Sequence, residues 1–391
     1  MRVLVVTAWA PWRLSDGGSL VIHHHLRRLA LRHDITVFSA GGRIGEGTIL
    51  DGSALPEGVG GGWFGTRRAS VVDYAIRRLR SERSGEPAHV HWVERPQLVS
   101  ALRRELVQRP PDMLHLHGWG TGQLWRMAPA VPTLHVAVDA WDLGRSSRAL
   151  PAWRRVADAR QRAKVVAHQR RHYPRCGGVV VVGPRDAEHL RQLVPEARVE
   201  VVPNGVDAGP EPGPSTERPV LGFHGAFGEH RPNVEAARVL VREVLPLVRL
   251  QRPDARALVI GRDPGRDLRA LAGDGVEVTG TVSDVRARLA DVAVYVAPLV
   301  SGTGLRNKVL EAMAARLPVV ASPLALEGIG EGGGVFETAS PQLMASRIVD
   351  LLESREARIA AGCRARHRVM TEFTWEASAA SIEALWSELA G

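Results

Sequence analysis

Short apolar runs rich in β-branched residues alternate with longer amphipathic stretches along most of the chain. This alternation is typical of parallel sheets whose strands are joined by crossover helices. In the first half we predict strands at Val3–Val6, Ile35–Phe38, Met113–Leu116, Leu134–Val138, Val179–Val182 and Val199–Val202, and helices at Leu20–Arg32 and Trp153–His172. In the second half we predict strands at Val220–Phe223, Ala257–Ile260, Val276–Thr279, Val292–Ala297 and Val319–Ala321, and helices at Pro232–Leu250, Val285–Ala290, Arg306–Ala315 and Pro341–Glu353. The pattern predicts an α/β protein with two doubly wound domains.

Two domains are also expected from length, because 391 residues exceed what one hydrophobic core usually serves. The Pro/Gly-rich stretch 208–215 lacks an apolar period and is predicted to be a linker. Residues 41–70 are glycine-rich and patternless, which predicts a long loop. The segment Thr374–Leu389 opens with a threonine cap and carries an apolar stripe, which predicts a final helix. Domains of this type bind ligands beyond the carboxyl ends of their strands.

Composition narrows the class of protein further. Apolar residues make up 45% of the chain and charged residues 24%, as in ordinary globular proteins. The net charge of +9 favours an anionic partner, but the arginines are spread along helical patterns, so we expect no nucleic acid and at most weak peripheral membrane contact. We find no apolar run of bilayer length, no secretory pattern and only two cysteines, which predicts a cytoplasmic protein.

Lysine is rare here: of 51 basic residues, only Lys164 and Lys308 are lysines. Lys308 lies where a glycine-rich loop runs into an apolar helix, within Ser301–Ala314. The ammonium group and the unpaired N–H groups of the helix start both attract phosphate. Glu311 lies one turn further along nearly the same helix face, where a carboxylate can accept both hydroxyls of a ribose. The loop and helix therefore predict a site for a nucleoside diphosphate.

Two weaker elements have similar character. Phe223–Arg231 is a strand end that runs into a glycine-bearing turn and then a helix, with Arg231 at the helix start, where an anion is attracted. Gly17 and Gly18 form a predicted turn before the helix Leu20–Arg32 and bring backbone N–H groups toward a ligand. Glycine-bearing elements in both halves of the chain are a stronger indication than any one of them.

The combination of motifs resembles glycosyltransferase family 4, in a branch with the sequence Asn-Lys-Val-Leu-Glu-Ala-Met. The resemblance covers nearly the whole chain and is carried by Gly17-Gly18, Val201–Asp207, Arg231–Glu235, Val276–Val282 with Asp284-Val285, Ala297–Leu299, Asn307–Ala314, Pro318–Val320 and Phe373–Trp375. It implies the GT-B fold: two Rossmann-like domains that face a central cleft, with a C-terminal helix crossing back to the first. An acceptor-binding domain at 1–203 plus 374–391 and a donor-binding domain at 204–373 follow. The implied activity is sugar transfer from a nucleotide donor with retention.

The resemblance also assigns roles to individual residues. It places the ribose on Glu311 and the diphosphate on Arg231 and Lys308. The candidate donor-binding residues are Gly17, Gly18, Gly225, Arg231, Gly261, Val282, Gly302, Thr303, Gly304, Leu305, Lys308 and Glu311. Two positions depart from the family pattern: Thr303 stands where many members carry a glutamate, and Ala226 where many carry an arginine. Lys308 is expected to replace the missing arginine charge.

The acceptor side is predicted in the first half. Asp139 follows the strand Leu134–Val138, and strand alternation places His135 on the same face, so both are candidate catalytic residues with Arg231 and Lys308. The family's usual histidine position is Val138. The acceptor is expected to contact the 41–70 loop, the Trp9–Trp12 turn and the segment after Asp139. Tryptophans that suit a sugar ring are enriched in this half, namely Trp9, Trp12, Trp63, Trp119 and Trp141.

The sequence predicts no resident cofactor and no metal. His23, His24 and His25 are consecutive and point to different faces of a helix, and no Asp-x-Asp pair is present. The donor is expected to be a UDP- or GDP-sugar. A small soluble polar molecule or a saccharide is the expected acceptor, because we find no strongly amphipathic segment for docking on lipid. Two alternatives stay open: a nucleotide-sugar epimerase of the GT-B fold, and a non-catalytic nucleotide-binding protein.

Overall fold

The computed structural model describes residues 1–12, 17–41, 55–64, 71–140, 142, 152–209, 216–228, 230–302 and 304–391. The chain divides into two units: Met1–Pro203 with Trp375–Gly391, called unit 1, and Asn204–Thr374, called unit 2. Thr374, placed with the first domain from the sequence, lies in unit 2. Most of the expected linker and of the loop 41–70, together with Asp16, Trp141 and Thr303, lies outside the described residues.

Each unit contains one sheet in which neighbouring strands are parallel. Within the described ranges, the strands of unit 1 are β1 (Arg2–Thr7), β2 (Asp34–Ser39), β3 (Val59–Trp63), β4 (Met113–His117), β5 (Thr133–Val138), β6 (Gly178–Val181) and β7 (Val199–Val201). Those of unit 2 are β8 (Val220–His224), β9 (Arg256–Ile260), β10 (Val276–Val278), β11 (Val294–Ala297), β12 (Val319–Ala321) and β13 (Val335–Glu337). The orders are β3-β2-β1-β4-β5-β6-β7 and β10-β9-β8-β11-β12-β13. The direction of winding reverses between β1 and β4 and between β8 and β11, which is where doubly wound sheets bind ligands.

Helices follow the strands in the expected rhythm. In chain order they are α1 (Gly17–Leu29), α2 (Val71–Ser84), α3 (Val90–Val93), α4 (Pro96–Gln108), α5 (Ala152–His172), α6 (Pro184–Leu193), α7 (Arg231–Val239), α8 (Leu245–Arg249), α9 (Gly265–Arg269), α10 (Val285–Leu289), α11 (Asn307–Ala314), α12 (Pro341–Glu353), α13 (Arg355–Glu372) and α14 (Trp375–Ala390). In the part of the chain that is described, none of them is both long enough and apolar enough to cross a membrane.

The core of unit 1 is made by strands that are buried on both faces. Alternate residues of β1 enter different layers: Val3 and Val5 join the layer that contains α1, and Leu4 and Val6 join the layer that contains α4. The final helix α14 adds Ile382 and Trp386 to the first of these layers, which anchors it within unit 1. A strand covered by helices on both faces reads as a continuous apolar run, which is why the sequence shows these strands clearly.

Three sequence predictions need correction. The loop expected at 41–70 contains β3, an edge strand; its Val-Gly-Gly-Gly-Trp sequence hides the usual alternation, and a Cβ on Gly61 would lie 2.0 Å from the Val37 carbonyl oxygen. Gly17 and Gly18 are the first residues of α1 rather than a turn before it. The helix expected at Pro232–Leu250 contains a π-helical segment at Leu240–Val244, which ends two residues before Pro246, whose ring nitrogen has no N–H to donate.

Candidate functional site

At the reversal point of unit 2, the backbone segments after β8 and β9 pack against each other. Gly225 donates its N–H to the Ile260 carbonyl oxygen at 3.0 Å. Gly261 has a φ of 145°, and a Cβ there would lie 1.8 Å from the Gly225 carbonyl oxygen. Glycine is therefore required at 261, and the loop after β8 is held close to the start of α11, where Lys308 lies.

Lys308 is the second residue of α11, and its ammonium group is enclosed on several sides. It donates to Asn233 Oδ1 and lies 5.0 Å above the centre of the Phe223 ring. A Cβ on Gly225 would come within 3.1 Å of Nζ. Burial, with a smaller contribution from Arg306, lowers the pKa of Lys308 from 10.5 to about 7. An anion bound here would restore the charge.

The glycine-bearing loop before α11 is fixed by polar contacts at both ends. At its start, Ser301 Oγ donates to Glu235 Oε2 of α7 at 2.7 Å. At its end, Asn204 Nδ2 donates to Asn307 Oδ1 at 2.9 Å, which joins two segments that are far apart in sequence. Gly302 and Gly304 have φ values of 115° and 76°, a backbone conformation that favours glycine. The residues of this loop that the structure describes are therefore held in place from both ends.

Glu311 pairs with a histidine that ends the central strand of the sheet. His224 Nε2 lies 2.7 Å from Glu311 Oε2, and the imidazole is buried, while the Glu311 side chain retains 37% of its exposure. Burial raises the pKa of Glu311, but His224 and Lys308 outweigh it, so the pKa stays below its usual value. The site thus combines an ionised, partly exposed carboxylate with a nearby ammonium group.

The other expected donor residues are placed as follows. Arg231 is the exposed first residue of α7, two residues before Asn233, and no salt bridge to it is found among the described residues. Leu305 is buried, and Val282 lies on the loop after β10. The structure brings Gly225, Gly261 and Lys308 together.

The corresponding place in unit 1 is lined by aromatic rings. Trp9 follows β1 and packs edge-on against Trp119 at a centroid distance of 5.5 Å. A Cβ on Gly18 would lie 2.5 Å from the Trp9 ring, so glycine is needed there for packing. Trp119 Nε1 donates to Asp139 Oδ1 at 2.9 Å, which fixes the carboxylate beyond the end of β5.

His135 and Asp139 are not related by simple strand alternation. The register of β5 shifts between Val136 and Val138, and Val138 has a φ of 74°, so the alternation ends before Asp139. His135 has no exposed surface; its Nε2 lies 3.3 Å from the Gly118 carbonyl oxygen and its ring packs against Tyr173. The side chain therefore supports the turn at Gly118 from within the core.

His117, which sequence reasoning did not single out, ends β4 beside Trp9. The imidazole is fully buried, and neither ring nitrogen makes a hydrogen bond of ordinary geometry among the described residues, although the Gly18 backbone lies close enough to affect its pKa. Burial lowers the pKa of His117 well below 6.5, and the backbone of Gly18 acts in the opposite direction. An unsatisfied imidazole at a reversal point is the type of group that a ligand completes.

Sequence reasoning also missed the roles of His224, Asn233 and Arg306 in unit 2. Asn233 lies within the quoted segment Arg231–Glu235, so its position could have been noticed. His224 gives no sequence signal, since it reads as the last residue of a buried strand. Arg306 packs against Gly302: its guanidinium would lie 3.3 Å from a Cβ built on that glycine. It is two residues before Lys308 in the chain.

Two models of known protein families match most of the chain. The family model described as Glycosyltransferase Family 4 matches residues 15–209, and the one described as Glycosyl transferases group 1 matches 218–354. A phosphatidyl-myo-inositol mannosyltransferase of Mycobacterium leprae is 28% identical over 321 residues, covering 75% of this chain and 78% of that protein. The protein of the same name from Mycolicibacterium smegmatis is 29% identical over 206 residues, which cover 49% of this chain and 52% of that protein.

Solved structures of similar fold include sucrose-phosphate synthase from Thermosynechococcus elongatus, with a TM-score of 0.73, 17% identity and coverage of 100% of this chain and 99% of that one. Anabaena HepE in complex with UDP and glucose gives a TM-score of 0.63 with 14% identity, covering 99% and 100%. At these identities the likeness shows the fold alone. Two parallel-sheet units with these neighbours define the GT-B fold. The family models and the curated relatives define the class as glycosyltransferase. The chain belongs to glycosyltransferase family 4.

Proposed function

We propose that this glycosyltransferase moves a hexose from a UDP- or GDP-sugar to an acceptor hydroxyl, with retention and without a metal ion. The observation that carries the proposal is the enclosed ammonium of Lys308 beside the Glu311–His224 pair at the reversal point of unit 2. The epimerase and the non-catalytic binding protein are not favoured, because the relatives above are named as transferases.

In this proposal, Lys308, Arg231 and the backbone of Gly302–Leu305 bind the diphosphate, and Arg306 contributes a further charge. Glu311 accepts hydrogen bonds from the ribose hydroxyls, held in position by His224. During transfer the bond between the anomeric carbon and a phosphate oxygen breaks, and the acceptor oxygen forms a bond to that carbon. The acceptor's proton passes to the departing diphosphate. The protein's main contribution is electrostatic stabilisation of the negative charge that develops on this leaving group.

We assign the acceptor to unit 1, near the rings of Trp9 and Trp119. Asp139 is the candidate group for holding an acceptor hydroxyl, with its carboxylate oriented by Trp119. His135 acts as a positioning residue through Gly118. Both Cys176 and Cys363 are free, which suits a reducing compartment such as the cytoplasm.

The deciding experiment is a donor-by-acceptor screen of the purified chain, read by mass spectrometry. We expect transfer from a UDP- or GDP-hexose, the same anomeric configuration in donor and product by NMR, and unchanged initial rates in EDTA. Absence of transfer and of nucleotide binding across UDP-, GDP-, ADP- and dTDP-sugars would refute the proposal. Inverted product would refute retention alone, and a rate that falls in EDTA and returns with Mg²⁺ or Mn²⁺ would refute metal independence.

A second candidate acceptor, a lipid-borne polyol, is favoured by one observation in α2. Ile76 and Leu79 are 45% and 54% exposed and lie on one helix face with Arg80 and Arg83. Exposed apolar side chains flanked by arginine suit the surface of an anionic membrane. The named relatives act, by their names, on phosphatidyl-myo-inositol.

Vesicle flotation distinguishes the two acceptor classes. With anionic vesicles at about 0.15 M salt, where charge screening acts within about 8 Å, a soluble-acceptor enzyme stays in the lower fraction. A lipid-acceptor enzyme floats, and the double variant Ile76→Glu/Leu79→Glu releases it. Val107→Glu is the matched control, because Val107 is 81% exposed on α4 and lies outside the α2 face.

A further inference from the structure

Three ligand-type side chains meet in unit 1 at the joint between α2 and α5. Glu86 follows α2, and His168 and His172 are four residues apart on α5, so the two imidazoles lie on one helix face. His168 Nδ1 lies 2.7 Å and His172 Nε2 lies 3.6 Å from the two carboxylate oxygens of Glu86. One ligand atom from each side chain falls within 4.8 Å of the others.

These separations are close to those of a tetrahedral metal shell. Zinc–nitrogen and zinc–oxygen bonds of about 2.0–2.1 Å place neighbouring ligand atoms roughly 3.3 Å apart. The two observed separations, 2.7 and 3.6 Å, lie on either side of that value but end on different oxygens of Glu86, so the side chains must shift to bind one ion. Two imidazoles and a carboxylate are also a ligand set that zinc prefers.

A second observation points to a ligand at the same place. His172 is buried, and its Nε2, directed toward Glu86, makes no hydrogen bond among the described residues. The cluster therefore directs a carboxylate and an imidazole nitrogen that lacks a hydrogen bond toward a common point, which a divalent cation would satisfy.

We propose that Glu86, His168 and His172 bind one structural Zn²⁺ ion, which fastens the segment after α2 to α5. The ion would reinforce contacts already present there, in which Lys164 Nζ donates to the Ser81 carbonyl oxygen at 2.9 Å and to Glu82 at 2.8 Å. The site is separate from the sugar-transfer chemistry, takes no part in it, and does not depend on the function proposed above.

Trp125 acts as a built-in competitor of this ion. Its Nε1–H donates to His172 Nδ1 at 3.3 Å, which places the proton of the neutral ring on Nε2. Zinc binding at Nε2 moves that proton to Nδ1, and the His168 proton moves from Nδ1 to Nε2, so no proton is released. The Trp125 hydrogen bond must then be lost. Arg171, which donates to Glu86 at 2.8 Å, is displaced or shares the carboxylate.

The test uses the full chain without an affinity tag, stripped of metal and titrated with Zn²⁺ against a chromogenic chelator. We expect one tight ion per chain and, with Co²⁺ instead, a visible absorption band of a four-coordinate site. His168→Gln and His172→Gln should each weaken binding at least about 10-fold, since even outer-shell changes have that effect. His189→Gln is the matched control: its imidazole pairs with Asp142 at 2.7 Å in the same unit, and Zn²⁺ affinity should not change.

Trp125→Phe is expected to strengthen Zn²⁺ binding, and a variant that was merely misfolded would not show this effect. Removing the competing N–H should tighten Zn²⁺ binding by about 10-fold, while circular dichroism verifies that the variant is folded. The proposal is overturned if no tight ion binds, if affinity is unaffected by both histidine variants, or if folded Trp125→Phe binds Zn²⁺ no better than the parent chain.

Discussion

Replacing Lys308 with methionine is expected to weaken donor binding while leaving the protein as stable as before, or more so, at pH 6.5. Methionine has a similar length and no charge. Burial and Arg306 lower the pKa of Lys308 from 10.5 to about 7, and each pKa unit corresponds to about 1.4 kcal/mol, so the charged form costs the free protein several kcal/mol. The methionine variant avoids that cost but loses the hydrogen bond to Asn233, which offsets about 1–3 kcal/mol of the stability gained.

The pH dependence follows from the direction of this shift. Between pH 7 and 10.5 the unfolded chain holds a proton on Lys308 that the folded chain has released, so the stability of the parent protein rises with pH across this window. Below pH 7 Lys308 is charged in the folded chain as well, so the full free-energy cost of burying that charge is present. The advantage of Lys308→Met is therefore largest at low pH and disappears toward pH 10. A net gain of about 1–2 kcal/mol at pH 6.5 corresponds to a Tm increase of roughly 1–3 °C, because the entropy of unfolding grows with chain length.

Binding is measured by isothermal titration calorimetry with UDP and GDP. Loss of one charged phosphate contact, about 1.5–3 kcal/mol, weakens the affinity by about 10- to 150-fold. Lys308→Arg should recover only part of it, because the guanidinium fork needs a different geometry. Repeating the titration of the parent chain at pH 8 in buffers of different ionisation enthalpy should show uptake of close to one proton, as the nucleotide restores the charge.

Lys164→Met is the control, since Lys164 contacts Ser81 and Glu82 in unit 1. We expect it to lower Tm and leave nucleotide affinity unchanged. The reasoning would be refuted if Lys308→Met lowered Tm by several degrees at pH 6.5, or if nucleotide binding took up no proton at pH 8. A fully active Lys308→Arg would show that any cation suffices at this position.

Three further predictions concern other parts of the structure. His224→Phe should raise the KM for the donor and reduce the preference for ribo- over 2′-deoxyribonucleotides, because the Glu311 carboxylate loses its hydrogen-bond partner. Glu311→Ala should have the same effect, and an unchanged preference in competition binding would count against the ribose assignment. Gly261→Ala should lower the free energy of unfolding, measured in urea, by more than about 1 kcal/mol, because φ at 261 is positive and a Cβ there would clash with the Gly225 carbonyl oxygen. Gly273→Ala is the control: φ is also positive but the space is open, so only the smaller backbone cost is expected. Burial lowers the pKa values of His25 and His115 to about 3 and that of His135 to about 4. Below pH 6.5 the unfolded chain therefore binds more protons than the folded chain, and Tm should fall steeply between pH 6.5 and 4. No such fall is expected if these rings are solvated.

Much of the candidate donor site could be described from sequence because its parts are local. A glycine loop, the start of a helix and residues one turn apart on that helix keep their relation in any fold that forms the helix, and Lys308 and Glu311 are related in this way. Arg231 and Pro232 at the start of α7 are also fixed by local chemistry. The strands were visible because both faces are buried.

Other features depend on residues that only the fold brings together. Several strands separate His224 from Glu311, and Asn233 from Lys308, along the chain. Each pair comes into contact only when the sheet of unit 2 has formed. Strand alternation failed at Asp139 because a bulge and a positive φ at Val138 re-aim the chain, and no simple residue pattern signals such a bulge. The strand β3 was hidden because glycines carry no side chains to alternate.

The sequence by itself determined the α/β class, the two-domain organisation and the family, since these follow from periodicity and from motifs that are continuous in the chain. Only the tertiary structure decided which polar groups face one another: His224 with Glu311, Trp119 with Asp139, and the joint of Glu86 with His168 and His172. The physical reason is that ionisation, burial and hydrogen bonding are set by neighbours across space. A linear pattern records the residue types but not those neighbours.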